Sequence, residues 1–350
     1  MKLNHIYKSI ACGVLLAMTA TSCDLDYNPV DTYSDVTEGV NKTDEKPIFN
    51  SVQDVETSMV TLHKKFRDQQ EHWYVDKLLI GDAHSDNAYA GTTGAEVVPY
   101  ETNSIEGSNS VLKRDWDRFL GDIAVANRII VGCDQLKALS ESERGKYQSQ
   151  AKIFRAMVMF DMVRLWGNFP VITTVGGDIT EDNVEEMYPT YFPPQNTAEE
   201  AYAQIEKDLT EAVENPNTPT NDTSDKSILT KSVARAMLAK VYAEKPLRDY
   251  AKVIKYADEL AADGFDLVED FSDLWAYDTE KKDCRVRNTK EAILEAHFPP
   301  GSGNWCTWMF GRNLSNWDES FTWAKWITPS RDLIRLYEEQ GDTKRYNESV

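Results

Sequence analysis

Five of the nine tryptophans, Trp305, Trp308, Trp317, Trp323 and Trp326, fall between Pro300 and Pro329, interleaved with Gly301, Gly303, Gly311, Arg312, Asn313 and Asn316. A glycine-broken stretch seldom holds so much indole. Flat aromatic rings stack on the apolar C–H faces of sugar rings, while Arg and Asn side chains hydrogen-bond hydroxyls at the rim. The bland alternative is that the tryptophans fill a satellite core. Trp323 and Trp326 flank a helix-like FTWAKWI and are the expected structural members; Trp305, Trp308 and Trp317, with Arg312, are the candidates for an exposed stacking surface.

Signals for bond-making chemistry are weak. The chain has no GxSxG, HExxH, Walker loop or GxGxxG, and its five histidines, His5, His63, His72, His84 and His297, show no metal-ligand spacing. No cofactor and no metal are expected. The spacing Asp24, Asp26, Asn28 mimics the start of a calcium loop, but Pro29 stands where further ligands and a glycine turn are needed. The 58 acidic residues leave a glycosidase pair open without pointing to one. The residues therefore read as a binder rather than an enzyme. The alternatives are a glycoside hydrolase, or a helical-repeat protein-interaction module whose tryptophans are core.

At the N-terminus Lys2 and Lys8 precede the apolar stretch Ile10 to Ala20, then Thr21, Ser22 and Cys23. This is the pattern of a secretory signal peptide, residues 1–22, with cleavage before Cys23 and lipidation of its thiol; the apolar run falls short of the roughly 20 residues a spanning helix needs. Residues 1–22 hold two of the 38 basic residues and none of the 58 acidic ones, so the mature chain carries a formal charge near −22. Nucleic acid is not expected as a partner. Of the remaining cysteines, Cys133, Cys284 and Cys306 have no CxxC spacing, which leaves one disulfide plus a thiol, or three buried thiols.

Residues 23–48 are polar, rich in Asp, Thr and Asn, and read as a tether; residues 49–350 read as one domain. The elements that must position the aromatic stretch are helices. Val52, Val55, Met59, Leu62 and Phe66 form an amphipathic stripe beginning at Ser51, and Asn109 to Cys133 is a second helix with Leu112, Trp116, Phe119 and Ile123 on one side. Ser140 with Glu143, and Thr197 with Glu200, have capping-box spacing. From Thr230 to Gly264 two helices stand back to back, with Leu238, Ala239, Tyr242 and Ala251 at tetratricopeptide positions and Tyr256 and Ala257 displaced by one. A last helix spans Ser330 to Glu339.

The stretch Ser149 to Pro170, SQAKIFRAMVMFDMVRLWGNFP, is apolar almost all round, and such a helix belongs in an interior. Asp161 and Arg164, three apart, are expected to pair along its surface. Gly167 can cap it and Pro170 cannot continue it. This run of Arg, Ala, an apolar helix, then Trp-Gly and Phe-Pro resembles the signature helix of the SusD/RagB family of Bacteroidetes outer-membrane nutrient-binding lipoproteins.

That resemblance implies an all-α fold: a right-handed tetratricopeptide-like helical-repeat scaffold with irregular loops and short extended segments, FDLVEDFSDLWAY being one such loop and EAILEAHF a short extended segment. It implies a surface-exposed, outer-membrane lipoprotein anchored through Cys23, with Asp24 and Asp26 similar to the acidic residues behind the lipidated cysteine of surface-exported relatives. It also implies that an oligosaccharide or polysaccharide is bound and passed to a SusC-like TonB-dependent transporter. Ser85, Asp86 and Asn87 resemble the family's SDN-like turn ahead of a loop that supplies sugar contacts, which makes Asn87, Tyr89 and Tyr100 further ligand-binding candidates. Members of the family normally continue beyond the point reached at Val350, so a C-terminally truncated domain is expected.

Overall fold

The computed structural model describes residues 47–90, 95–177, 183–274, 283–299 and 327–349, together with 179, 181, 276–278, 280 and 281. Helices dominate, and most open where a short polar side chain can accept from an orphan backbone amide. Helix α1 is Val52–Asp68, capped by the reciprocal pair Ser51 and Asp54. It runs into a π-helical turn, Glu71–Val75, and then the short α2, Asp76–Gly81. Strand β1 (Ala88–Ala90) and the single turn α3 (Val98–Glu101) lead to α4, Ser110–Gln135, whose cap Asn109 accepts from the amides of Val111 and Leu112.

Helix α5, Glu141–Trp166, carries the expected Ser140 and Glu143 capping box and stops at Gly167, whose φ of +72° suits a residue without a Cβ. Then come α6 (Val184–Tyr191), α7 (Ala198–Glu214, boxed by Thr197 and Glu200), α8 (Lys231–Ala243) and α9 (Tyr250–Ala262). A 3₁₀ turn, Phe271–Leu274, precedes a two-stranded hairpin of β2 (Tyr277–Asp278) and β3 (Asp283–Cys284). Strand β4 (Ile327–Pro329), α10 (Arg331–Gln340) and α11 (Thr343–Ser349) follow. The segment EAILEAHF, expected to be extended, forms no strand.

Helix α5 is the axis of the packing: α4 and α7 lie against it, α8 against α7, and α9 against α8. Ile153, Phe154, Ala156, Val158, Met159 and Met162 are completely removed from solvent. Each such large side chain contributes on the order of 1.5–3 kcal/mol, which explains why a helix with no polar face is stable here. Its one deeply buried charge, Arg155, reaches Asp208 on α7 through two bonds of 2.8 and 2.7 Å and Asn127 on α4 through a third of 2.7 Å. Asn127 in turn donates to the carbonyls of Ile172 and Thr174, so the chain after the helix stop is fixed to the same node. The expected Asp161–Arg164 pair does not form. Asp161 takes Lys77 at 2.5 Å and Arg164 reaches Glu244 at 3.1 Å, because neighbouring elements offer partners that need no bending along the helix surface.

In the α8–α9 pair, Leu238 and Tyr242 are buried and the Tyr242 and Tyr256 rings lie parallel, 6.1 Å apart. The displaced Tyr256 therefore still serves as the aromatic of the second repeat helix. Cys133 and Cys284 are both free thiols, the first buried and the second exposed, so neither cysteine arrangement read from the sequence holds for them. Burial, helped by Asp134, pushes the Cys133 thiol up to about 12.

A second, smaller core lies apart from the main one. Leu79 and Ala83 from α2 and its exit, Ala88 on β1, Val97, Tyr100, Val111 and Ile327 on β4 are all buried together. No helix among the described residues is long and apolar enough to cross a membrane.

Candidate functional site

The small core exists because two distant parts of the chain meet. Strand β1 pairs antiparallel with β4 in the register Ala88 with Pro329, Tyr89 with Thr328 and Ala90 with Ile327. The turn before β1 is self-bonded: Ser85 Oγ donates to the Asp82 carbonyl at 2.8 Å and accepts from the Asn87 amide at 3.2 Å. Its outer edge is then tied to the start of α10. Ser330 Oγ donates to the Asp86 carbonyl at 2.6 Å, the Ser330 amide donates to the Asn87 carbonyl at 2.9 Å, and the Arg331 amide donates to the Tyr89 hydroxyl at 3.3 Å. Ser330 also accepts from Leu333 as the cap of α10, so one hydroxyl serves helix and turn together.

Between this turn and α10 lies an open groove of about 250 Å³, lined by Asp86, Asn87, Asp332, Leu333, Leu336 and Glu339, with Arg335 among them. Arg335 is held by Asp332 at 2.8 Å and by Glu339 at 3.5 Å, both on its own helix. Leu336 is half exposed and gives the groove an apolar strip amid groups that can donate to or accept from hydroxyls. Asn87 thus lies on a groove wall. Tyr89, about a third exposed, stands on the strand beside it with its hydroxyl engaged by α10.

Tyr100 is placed differently from its two companions. It is fully buried in the small core, and its hydroxyl donates to Asn109 Oδ1 at 3.2 Å. Burial, together with the nearby Asp115 and Asp76, pushes its phenol well above the usual range. The ring has no face for a ligand; its work is to support the cap of α4. Trp305, Trp308, Arg312 and Trp317 lie outside the described residues, as does Cys23. The residues on either side of that tryptophan-rich stretch are described. Phe298 packs edge-on against Tyr74, with ring centroids 6.5 Å apart, and its carbonyl accepts from Arg287, while Ile327 pairs with Ala90.

The groove residues Asp332, Arg335, Leu336 and Glu339 escaped sequence reasoning. Their i, i+3, i+4 and i+7 spacing from Asp332 marks one helix face, but only the meeting of β1 and β4 brings that face to Asn87. A second group was also missed. Beneath α2, Asp76 pairs with Arg114, and Asp115 is buried next to both. Burial and the adjoining Asp76 push the Asp115 carboxyl up to about 9, against the pull of Arg114 and Arg118. Asp76 and Asp115 are closed to solvent, so the pair offers no acid to a bound substrate.

Comparison with known proteins fits this architecture. A family model described as "Starch-binding associating with outer membrane", of the SusD-like type, matches residues 32–243. A SusD-like protein of Bacteroides ovatus is 25% identical over 309 residues, which is 85% of this chain and 50% of that protein. Among solved structures, surface glycan-binding protein A from Bacteroides fluxus superposes with a TM-score of 0.58 at 19% identity, covering 73% of this chain and 52% of that one. A laminarin-binding SusD-like protein superposes with a TM-score of 0.53 at 20% identity, covering 65% and 48% respectively. At such identities the structural likeness establishes the fold, and the chain spans about half the length of these relatives. The match over residues 32–243 establishes more: the chain belongs to the SusD-like family.

Proposed function

We propose that this chain is a carbohydrate-binding protein of the outer-membrane surface, anchored through a lipid on Cys23, that captures a glycan and passes it to a SusC-like TonB-dependent transporter. The observation that carries the reading is the pairing of β1 with β4. It ties the turn bearing Asn87, and the strand bearing Tyr89, to Ile327 and the start of α10, and so forms the groove on whose wall Asn87 lies. Rim groups able to hydrogen-bond hydroxyls surround the groove there, as sugar recognition requires. Membership of a family described as starch-binding supports the ligand class, and the same description supports association with the outer membrane.

The ligand site needs a partner if the glycan is to enter the cell, since no described helix can span a bilayer. Exposed Tyr250 and Ile254, one turn apart on the outer face of α9, support docking of the helical repeats on another protein. Binding of a panel of neutral oligosaccharides to the full chain, measured calorimetrically, tests the ligand. Crosslinking of the native lipoprotein in intact membranes tests the partner: recovery of a β-barrel transporter is the expected result, and repeated recovery of the lipoprotein alone would leave a free-standing interaction module as the better account. Cys23→Ala should release the chain into the soluble fraction.

A further inference from the structure

Among the described residues, five buried side-chain atoms have no hydrogen-bond partner: His72 Nδ1, Trp73 Nε1, Asp76 Oδ1, Arg114 Nε and Asp115 Oδ1. All five belong to one junction, where the π-helical turn and the first residue of α2 face the second turn of α4. Buried polar atoms are rarely left unpaired, and a cluster of them calls for an explanation. Two of the five are carboxyl oxygens on side chains that are 0% and 1% exposed.

The charges around them do not balance if every acid is ionised. Glu71 on the π-helical turn takes Arg118 at 2.9 Å, and Asp76 on α2 takes Arg114. That uses both guanidinium groups. Asp115 on α4 is left with Arg114 Nε at 3.8 Å, too far for a hydrogen bond. The other titratable groups of the junction are Tyr100 on α3, His72, which faces Asp122 at 3.0 Å, and the lysines, of which Lys65 takes Asp122 and Lys77 takes Asp161. A buried carboxylate without a cation of its own would be very costly. A carboxylic acid would not be, and its hydroxyl would give an otherwise unpaired acceptor a donor.

We propose that Asp115 is held as the neutral acid and donates its proton to Asp76, and that this shared proton positions the turn bearing Asn87 and Tyr89. A single O–H···O⁻ bond accounts for both orphan oxygens and leaves two acids against two guanidinium groups. The consequence for the turn follows from the chain path. Asp76 opens α2, α2 contributes Leu79 to the small core, and its exit contributes Ala83 and leads directly to Asn87 and Tyr89. Asp115 lies one turn beyond Val111, the residue with which α4 enters that same core. The Asp115–Asp76 bond therefore fastens the base of α2 to α4, and both residues are positioning residues for the groove. The link to ligand capture rests on the function proposed above; the proton itself does not.

The pH signature has a definite sign. In the unfolded chain Asp115 gives up its proton near the ordinary aspartate value of about 4, whereas in the folded chain it does so near 9, because burial and Asp76 oppose the charge. Its contribution to stability is therefore complete below about pH 4 and declines as pH rises through that interval. Asp115→Asn, which supplies a neutral donor without titrating, should gain in Tm relative to the parent as pH is raised from about 4 to about 9 and level off above. Asp76→Asn deprives Arg114 of its partner and should lower Tm across the range.

The test uses the full chain in detergent, labelled with ¹³C at the aspartate side-chain carboxyl, the Asp115 signal being identified by its loss in Asp115→Asn. A carboxyl still protonated at pH 7 supports the proposal; one that ionises below pH 5 overturns it. Hydrogen exchange at pH 7 tests positioning. Asp76→Asn should speed exchange at the Ser330 amide, which bonds the turn, at least tenfold over Ile153 to Met162 of α5, while Asp115→Asn should not. Equal effects of the two variants would overturn the positioning role. If Asp76→Asn does not fold, Asp115→Leu, which keeps the volume and loses the donor, takes its place in the exchange measurement. None of these readouts involves a glycan, so their failure is distinct from a failure to bind sugar.

Discussion

Arg155 on α5 and Asp208 on α7 face each other through two parallel hydrogen bonds, and neither side chain is more than 4% exposed. Asp208 also accepts from Gln204 at 2.9 Å, and the guanidinium has Asn127 as its third partner. The node joins three helices at the one place where the apolar α5 carries a deeply buried charge.

Breaking this pair from one side should be far worse than removing it. Arg155→Leu leaves Asp208 buried without a cation and should cost roughly 3–5 kcal/mol, whereas adding Asp208→Leu should recover a large part of that loss. Chemical denaturation of the two variants measures the difference. Additive losses would show that the helices are held together here by shape alone.

Gly132 on α4 is a contact glycine. A Cβ built there would stand 2.4 Å from the ring of Phe49 and 3.0 Å from Ile48. Gly132→Ala should destabilise by about 1–3 kcal/mol through overpacking, despite the higher helix propensity of alanine. In a Phe49→Ala background the same change should be neutral or stabilising, and a double-mutant cycle on the two positions would read that coupling.

Asn87 and Tyr89 should behave differently from Tyr100 when glycan binding is measured. Tyr89→Ala is expected to weaken binding by roughly 1–3 kcal/mol with little effect on Tm, by analogy with other aromatic platforms. Tyr100→Phe should leave affinity unchanged and lower stability by about 1 kcal/mol, the worth of its bond to Asn109. Calorimetric titration paired with thermal melts separates the two kinds of residue. A Tyr100→Phe variant that folds as the parent does but no longer binds would move the site away from the groove.

One buried and one half-buried histidine give the chain an acid limit. Burial lowers the pKa of His63, against the hydrogen bond with Gln150, and burial lowers that of His72, against Asp122 at 3.0 Å. For each, the unfolded chain takes up a proton near pH 6.5 and the folded chain only at lower pH. The stability they confer is thus present above about pH 6.5 and lost as pH falls. In a pH series of urea melts, His63→Gln should flatten that limb; an unchanged slope would show that His63 does not titrate with unfolding.

The sequence made the scaffold legible because its signals were local. Ser140 with Glu143 and Thr197 with Glu200 announce helix starts, and α5 announces its burial by having no polar face. Partner choice for charges was not legible: Asp161 and Arg164 satisfy the rule for a pair, yet Lys77 and Glu244 arrive from other elements and win. The site was half legible. Asn87 and Tyr89 could be picked by motif, but Tyr100 reads the same in sequence and turns out to be core, because its hydroxyl finds Asn109 nine residues on. The α10 groove residues share one helix face by their spacing, but nothing local ties that face to Asn87, and the Asp76–Arg114–Asp115 cluster likewise depends on contacts between separate elements.

The register Ala90 with Ile327 also has a consequence in time. Most other contacts of the fold join neighbouring helices, whereas this one must close a loop of more than 230 residues. The entropy of that closure grows only as the logarithm of length, but nothing local repays it before the two strands meet. The groove is therefore expected to assemble after the helical scaffold, and to be among the first parts to open by partial unfolding. A chain emerging during synthesis would hold its helices well before it held the groove, which could not close until residues 327–340 had been delivered.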